Sequence, residues 1–394
     1  VGDLLIKNVR VMHPGQGIVG DRLRISAGKI SADDSPVEHT ETIDGGGRLL
    51  TPGLMDLHTH GIHTYLYEHS PEQLVCCTEV LPKYGTTAVL PTLYTVMNRK
   101  SLKHLEALAV ALDSVEHVSV PGFHMEGPFL ALAGAGAETV PGDVGLLKEV
   151  LAAARGRVSA MSVSPDTPNI LPVIEYLCGC GIVPFITHTA ATAGQTLAAF
   201  EAGVRHATHF YDVFPAPPVT EPGVRPVGAV EAVLADPRCT ADFICDGVHV
   251  DPLAIRSTVA AKGYRGVILI TDSNIGAGLP AGRFDTPWGF PVRTPGDGPA
   301  RIDDPGSPKH GLLAGSSLTM NQGISNLRRW LDLPDEQVWA MGTLNPARLL
   351  GLDTKGDLRT GADADLVLWD EQPDGSLEAN RTWVGGNCVY SLEY

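Results

Sequence analysis

The chain has 394 residues, 43% of them hydrophobic, and a formal net charge of −16. That is enough apolar material for a large core and more than one domain, which excludes a disordered chain. No basic cluster offsets the acidic balance, which argues against nucleic acid or an anionic membrane as partner. No run of about 18 apolar residues occurs, so no membrane-spanning helix is expected. The seven cysteines lack zinc-finger or thioredoxin spacing; they are read as reduced, pointing to a cytoplasmic location.

Residues 1–52 read as short strands and turns. Leu4, Leu5 and Ile6 form an apolar run followed by Val9 and Val11. Residues 21–30 alternate before a turn at Gly28 and Lys29, and Gly45, Gly46 and Gly47 close the segment. A β-segment this short buries little core alone, so it is expected to join another part of the chain.

From Leu54 the rhythm changes. Apolar runs at 54–58, 86–93, 120–125, 158–163, 182–187, 206–210, 241–245 and 267–271 alternate with helix-like stretches, among them 102–112, 144–154, 193–202 and 252–262. Such alternation predicts right-handed βαβ units and a parallel sheet. Eight units predict an α/β fold, a (β/α)₈ TIM-type barrel, with a doubly wound open sheet as the rival. Residues 274–310, rich in Gly, Pro and Asp, read as loop and short hairpin. Helices are predicted over 318–331 and 335–350, and β-structure returns from Gly356 to the end. The chain thus divides into a barrel over 53–352 and a small β-sandwich built from 1–52 and 353–394.

The apolar runs end in polar residues. His58 and His60 follow the first, Glu126 the third, His188 the fifth, His209 the sixth, Asp246 and His249 the seventh, and Asp272 the eighth. In a parallel barrel all strand C-termini share one face, where active sites form. Each residue alone has an ordinary structural explanation: a hydrogen-bonded histidine near the core, a helix N-terminal acid or a turn-capping aspartate. Their joint position does not. Histidines and carboxylates converging on one point are the ligand types of zinc, iron and manganese sites. His63, His69, His124 and His206 lack this logic and are not expected to be ligands.

These segments resemble the amidohydrolase superfamily, and within it the N-acetylglucosamine-6-phosphate deacetylases. The resemblance runs through most of the chain. It rests on Thr51-Pro-Gly-Leu-Met-Asp-Leu-His58-Thr-His60-Gly, His124-Met-Glu126-Gly-Pro, His188 with Ala190-Ala-Thr, and His206-Ala-Thr-His209. Asp246-Gly-Val-His249, Thr271-Asp272, Ala314-Gly-Ser-Ser-Leu-Thr-Met320, Asn345-Pro-Ala347 and Ala362-Asp-Ala-Asp-Leu-Val complete it. It implies a distorted barrel and a β-sandwich from both termini. It also implies a divalent metal (zinc, with iron or manganese as alternatives) held by Glu126, His188 and His209. His58 and His60 would hold a second ion, with Glu126 as the bridge. Asp272 would shuttle the proton in amide hydrolysis. Substrate contacts are implied at His249, Asp212, Val213, Ala137, Glu138, Thr220, Leu313 and Ala314.

The sequence departs from this family where sugar phosphate is bound. Asp212 and Val213 stand for the family's Asn-Ala, Thr220 for its phosphate-clamping Arg, and Glu138 for a loop His. Losing an Arg while gaining carboxylates disfavours a phosphate dianion, although Arg225 lies close enough in sequence to substitute. The expectation is a metal-dependent deacetylase of an N-acetylated amino sugar or related N-acyl compound, with phosphate recognition in doubt. A cyclic amide hydrolase or deaminase on the same scaffold is the alternative; a metal-free scaffold protein is disfavoured by the intact ligand set. The expected partner is a small molecule, with a homodimer possible by family habit.

Overall fold

A computed structural model describes residues 2–32, 40–134, 138–295 and 298–392. Its centre is an eight-stranded parallel sheet in sequential order: β1 Leu54–Thr59, β2 Thr86–Leu93, β3 Phe123–Glu126, β4 Val158–Val163, β5 Val183–Ile186, β6 His206–Ala207, β7 Thr240–Ile244 and β8 Val267–Ile270. Every residue of β1 and β2 is buried, which is why these strands read as unbroken apolar runs and not as alternation. Met55, Leu57, Leu90, Phe185, Ile244 and Ile270 fill one cluster, into which Ala347 of the Leu344–Leu349 helix also packs. The larger core lies between strands and surrounding helices.

The seam between β8 and β1 closes without a regular ladder. Asp272 N donates to His58 O at 2.8 Å, and His60 N donates to Ser273 O at 2.9 Å. Deeper in the seam the buried Asp56 carboxylate accepts from Thr271 N at 3.2 Å, Thr271 Oγ1 at 2.5 Å and His58 N at 3.3 Å. Burial pushes the Asp56 carboxyl up to about 7 despite these bonds.

The two ends of the chain form one seven-stranded mixed sheet. Its central strand, Glu41–Pro52, pairs in parallel with Leu4–His13 and antiparallel with Leu366–Glu371. The sheet wraps on itself: Leu23, Ile25 and Ile30 from one end share a core cluster with Leu366, Leu368 and Trp383 from the other. The three glycines expected to close the first segment lie inside its longest strand. Gly46 and Gly47 take φ of 63° and 78°, and the register with Leu4–His13 shifts there. They supply a bulge.

Residues 274–310 are more ordered than expected from composition. Gly282–Phe284, Val292–Thr294, Pro299–Ile302 and Leu313–Ser316 form a four-stranded antiparallel sheet with a small core of its own around Ile275, Val292, Ala300 and Ala314. Such short strands between turn residues leave too little alternation to be read. The stretch 335–350 is two helices, Asp335–Gly342 and Leu344–Leu349, broken at Thr343. No helix among the described residues is long and apolar enough to cross a membrane.

Candidate metal centre

The strand ends bring five of the expected residues, and Asp272 with them, to one point. His58 lies within β1, His60 just beyond it, and Glu126 ends β3. His188, His209 and Asp272 each sit two residues past the last residue of β5, β6 and β8. All three take left-handed backbone, with φ of 48°, 35° and 46°. L-residues rarely adopt this region, and it is concentrated at functional sites. Here it turns each side chain off its strand direction and towards the barrel axis.

The ligand atoms are closely spaced. Glu126 Oε1 lies 3.2 Å from His188 Nε2, 3.3 Å from His209 Nε2 and 3.8 Å from His58 Nε2. His60 Nε2 lies 3.3 Å from Glu126 Oε2, from Asp272 Oδ1 and from His58 Nε2. Donors about 2.0–2.2 Å from a tetrahedral ion are separated by about 3.3–3.6 Å, so these spacings fit. Two overlapping groups are suited to an ion, His58–His60–Asp272 and His58–Glu126–His209.

Charge in the cluster argues the same way. Burial opposes the Glu126 carboxylate, but the surrounding histidines outweigh it and hold its pKa well below the usual carboxylate range. Burial also opposes charge on His60, yet hydrogen bonds to Asp272 and Glu126 raise it to about 10; His209, through Glu126, rises to about 9. The buried carboxylates therefore attract positive charge, supplied by protons when no cation is bound. A divalent ion must displace those protons, so uptake at about pH 7 is expected to release them and to weaken as pH falls. Calorimetric titration with zinc in buffers of different protonation enthalpy checks this; equal affinity at about pH 6 and pH 8 would contradict it.

The side chains behind the ligands are fixed by buried bonds. Asp242 of β7 accepts from His206 Nε2 at 2.7 Å, Thr208 Oγ1 at 2.9 Å and His209 N at 2.5 Å. Thr208 Oγ1 lies 3.2 Å from His58 Nδ1. His124 is held by Leu57 O and Ser162 Oγ, and His206 by Thr240 Oγ1 and Asp242. Neither has a nitrogen to spare for the centre. Gly134 crosses the His188 ring so closely that a Cβ there would meet Cε1 at 2.4 Å.

Above the cluster opens a cavity of about 460 Å³ lined by His60, Glu126, His188, His209 and Asp272, with Asp212, Val213, His249, Leu313 and Ala314. His249 is oriented by Asp246, whose carboxylate takes its Nδ1 at 2.7 Å. Glu138 and Thr220 do not line the cavity; both are exposed. Thr220 lies in a proline-rich surface loop, which counting from a motif could not reveal. Ala137 lies outside the described residues. Arg225 is exposed and paired with Glu231 at 2.8 Å, away from the cavity. Tyr94, Asn274, Trp288, Phe290, Lys309 and Leu312 also line the cavity and were not anticipated. The Trp288-Gly-Phe290 pair, two large aromatics in an otherwise polar stretch, was the signal available.

A sequence model of the amidohydrolase family matches residues 49–391. The chain belongs to the amidohydrolase family. Members of this family use a divalent metal, and the donor set above fits one. The chain is 30% identical over 379 residues to the N-acetylglucosamine-6-phosphate deacetylase of Bacillus subtilis (strain 168), covering 93% of this chain and 92% of that protein. It is 29% identical to that of Lysinibacillus sphaericus, covering 93% and 94%. Its fold matches the crystal structure of N-acetylglucosamine-6-phosphate deacetylase from Pasteurella multocida, with a TM-score of 0.84, 25% identity, and 98% and 99% coverage. This amidohydrolase therefore shares the barrel and terminal sheet of those relatives along nearly its whole length.

Proposed function

We propose that this amidohydrolase removes the acetyl group from an N-acetylated amino sugar or a related N-acyl amine, releasing acetate. The observation that carries the reading is the convergence of His58, His60, Glu126, His188, His209 and Asp272 beneath one cavity. The similarity to N-acetylglucosamine-6-phosphate deacetylases supports the same reaction class. We further propose 53–352 as the hydrolase domain, with 1–52 and 353–394 as its companion sheet.

Glu126, His188 and His209 would hold one divalent ion, and His58 and His60 a second, with Glu126 between them. Zinc is the first candidate, and iron and manganese suit the same donors. Such an ion polarises an acyl carbonyl and acidifies water. Asp272 takes the proton from the attacking water and returns it to the leaving amine, which departs only when protonated. His249 presents its Nε2 to the cavity because Asp246 occupies Nδ1, and it orients the substrate by hydrogen bonding.

The substrate is proposed to lack a phosphate. Among the described residues Lys309 is the only Lys or Arg lining the cavity, against the carboxylates of Glu126, Asp212 and Asp272. A single lysine is a point charge without the two-pronged geometry of an arginine clamp. Acetate release from N-acetylglucosamine is therefore expected to match or exceed that from its 6-phosphate, measured as kcat/KM on metal-loaded protein. A large preference for the phosphorylated sugar would overturn this.

A further inference from the structure

The cavity has two unlike sides. The ligand cluster, Asp212 and His249 make one side polar. The segment of the inserted sheet makes the other: Trp288 and Phe290 stand with ring centroids 5.8 Å apart, Leu312, 56% exposed, continues the same cavity wall, and Lys309 is its one charged member among the described residues. Apolar walls with few polar groups are the usual make-up of a ligand site.

The size of the acyl group decides which end of a substrate meets this wall. The strand Leu313–Ser316 runs beside Asp272: Ser316 N donates to Asp272 O at 2.8 Å, and a Cβ on Gly315 would meet that oxygen at 3.0 Å. Leu312 directly precedes this strand. The acyl group in the reading above is only an acetyl, so a substrate group large enough to meet Trp288, Phe290 and Leu312 belongs to the amine portion. Tyr94 stands against His60 with ring centroids 4.9 Å apart and is a side-chain hydrogen-bond partner of Trp288.

From this geometry we propose that the substrate carries an uncharged apolar group, aromatic or aliphatic, on its amine portion, seated on Trp288, Phe290 and Leu312. The proposal rests on the deacetylase reading above and narrows it to amphipathic N-acetyl amines, such as hydrophobic glycosides of an N-acetylated amino sugar.

The experiment compares acetate release from N-acetylglucosamine and from its 4-nitrophenyl β-glycoside by zinc-loaded protein. The aryl glycoside is expected to be favoured in kcat/KM by about tenfold or more, the scale on which single apolar contacts discriminate. Trp288→Ala and, separately, Leu312→Ser should each reduce that ratio; Leu312 is exposed, so its replacement does not endanger folding. Equal kcat/KM for the two compounds, or a preference that survives both substitutions, overturns the proposal and leaves the deacetylase reading standing. Acetate release from neither compound overturns both.

Discussion

Asp272→Asn is expected to lower kcat by about 10²–10⁴-fold, the range associated with a positioned general acid–base group. Asn keeps the shape but can neither take a proton from water nor deliver one to the amine. Asp272 Oδ1 also lies 3.3 Å from His60 Nε2 and 3.7 Å from His58 Nε2, so the variant should weaken one ion-binding group. The other set, Glu126, His188 and His209, does not include Asp272. Metal analysis of the purified variant should therefore still find about one ion per chain while acetate release is lost. Wild-type kcat would refute the proton-shuttle role, and loss of all metal would show that Asp272 acts chiefly as a ligand.

Asp242→Asn is expected to cost about 10–100-fold in metal affinity, although Asp242 touches no ion, because groups behind the ligands set their orientation. The reasoning is one of hydrogen counting. Thr208 has a single hydroxyl hydrogen, and the Asp242 carboxylate, 2.9 Å away, can only accept it. Thr208 Oγ1 therefore accepts from His58 Nδ1–H across 3.2 Å, which leaves the His58 Nε2 lone pair facing His60, Glu126 and Asp272. An Asn amide at 242 can donate to Thr208, releasing its hydrogen towards His58 Nδ1 and stabilising the wrong tautomer. Competition against a chromophoric chelator measures the effect. Thr208→Val should reproduce it and Thr208→Ser should restore it; equal affinity in all three variants would show that the network only supports packing.

The terminal sheet and the barrel differ in how openly the sequence declares them. Strands buried on both faces must be apolar throughout, so β1, β2, β4 and β8 stand out as runs at 54–58, 86–93, 158–163 and 267–271, and the observed strands begin or end within a few residues of these. Helices such as Ala193–Ala202 and Pro252–Lys262 fall on the predicted limits, because Thr192 and Asp251 cap them with local side-chain bonds. The inserted sheet was not legible. Its strands are three or four residues long, and their pairing depends on partners brought close by the barrel rim.

The sequence by itself placed the candidate ligands at the strand ends, and its family resemblance supplied the proposed reaction class. Polar residues in fixed positions after apolar runs have no reason to recur in one fold position unless the strands converge, and strand direction makes that convergence local and regular. Only the tertiary structure decided what surrounds that chemistry. It joined Asp242 to His58 through Thr208, 34 and 150 residues distant from Thr208. It moved Thr220 and Glu138 out to the surface, and it raised Trp288, Phe290 and Leu312 over the centre. Such contacts follow from how separate strands pack and from where loops come to rest, and neither is encoded in the spacing of residues along the chain.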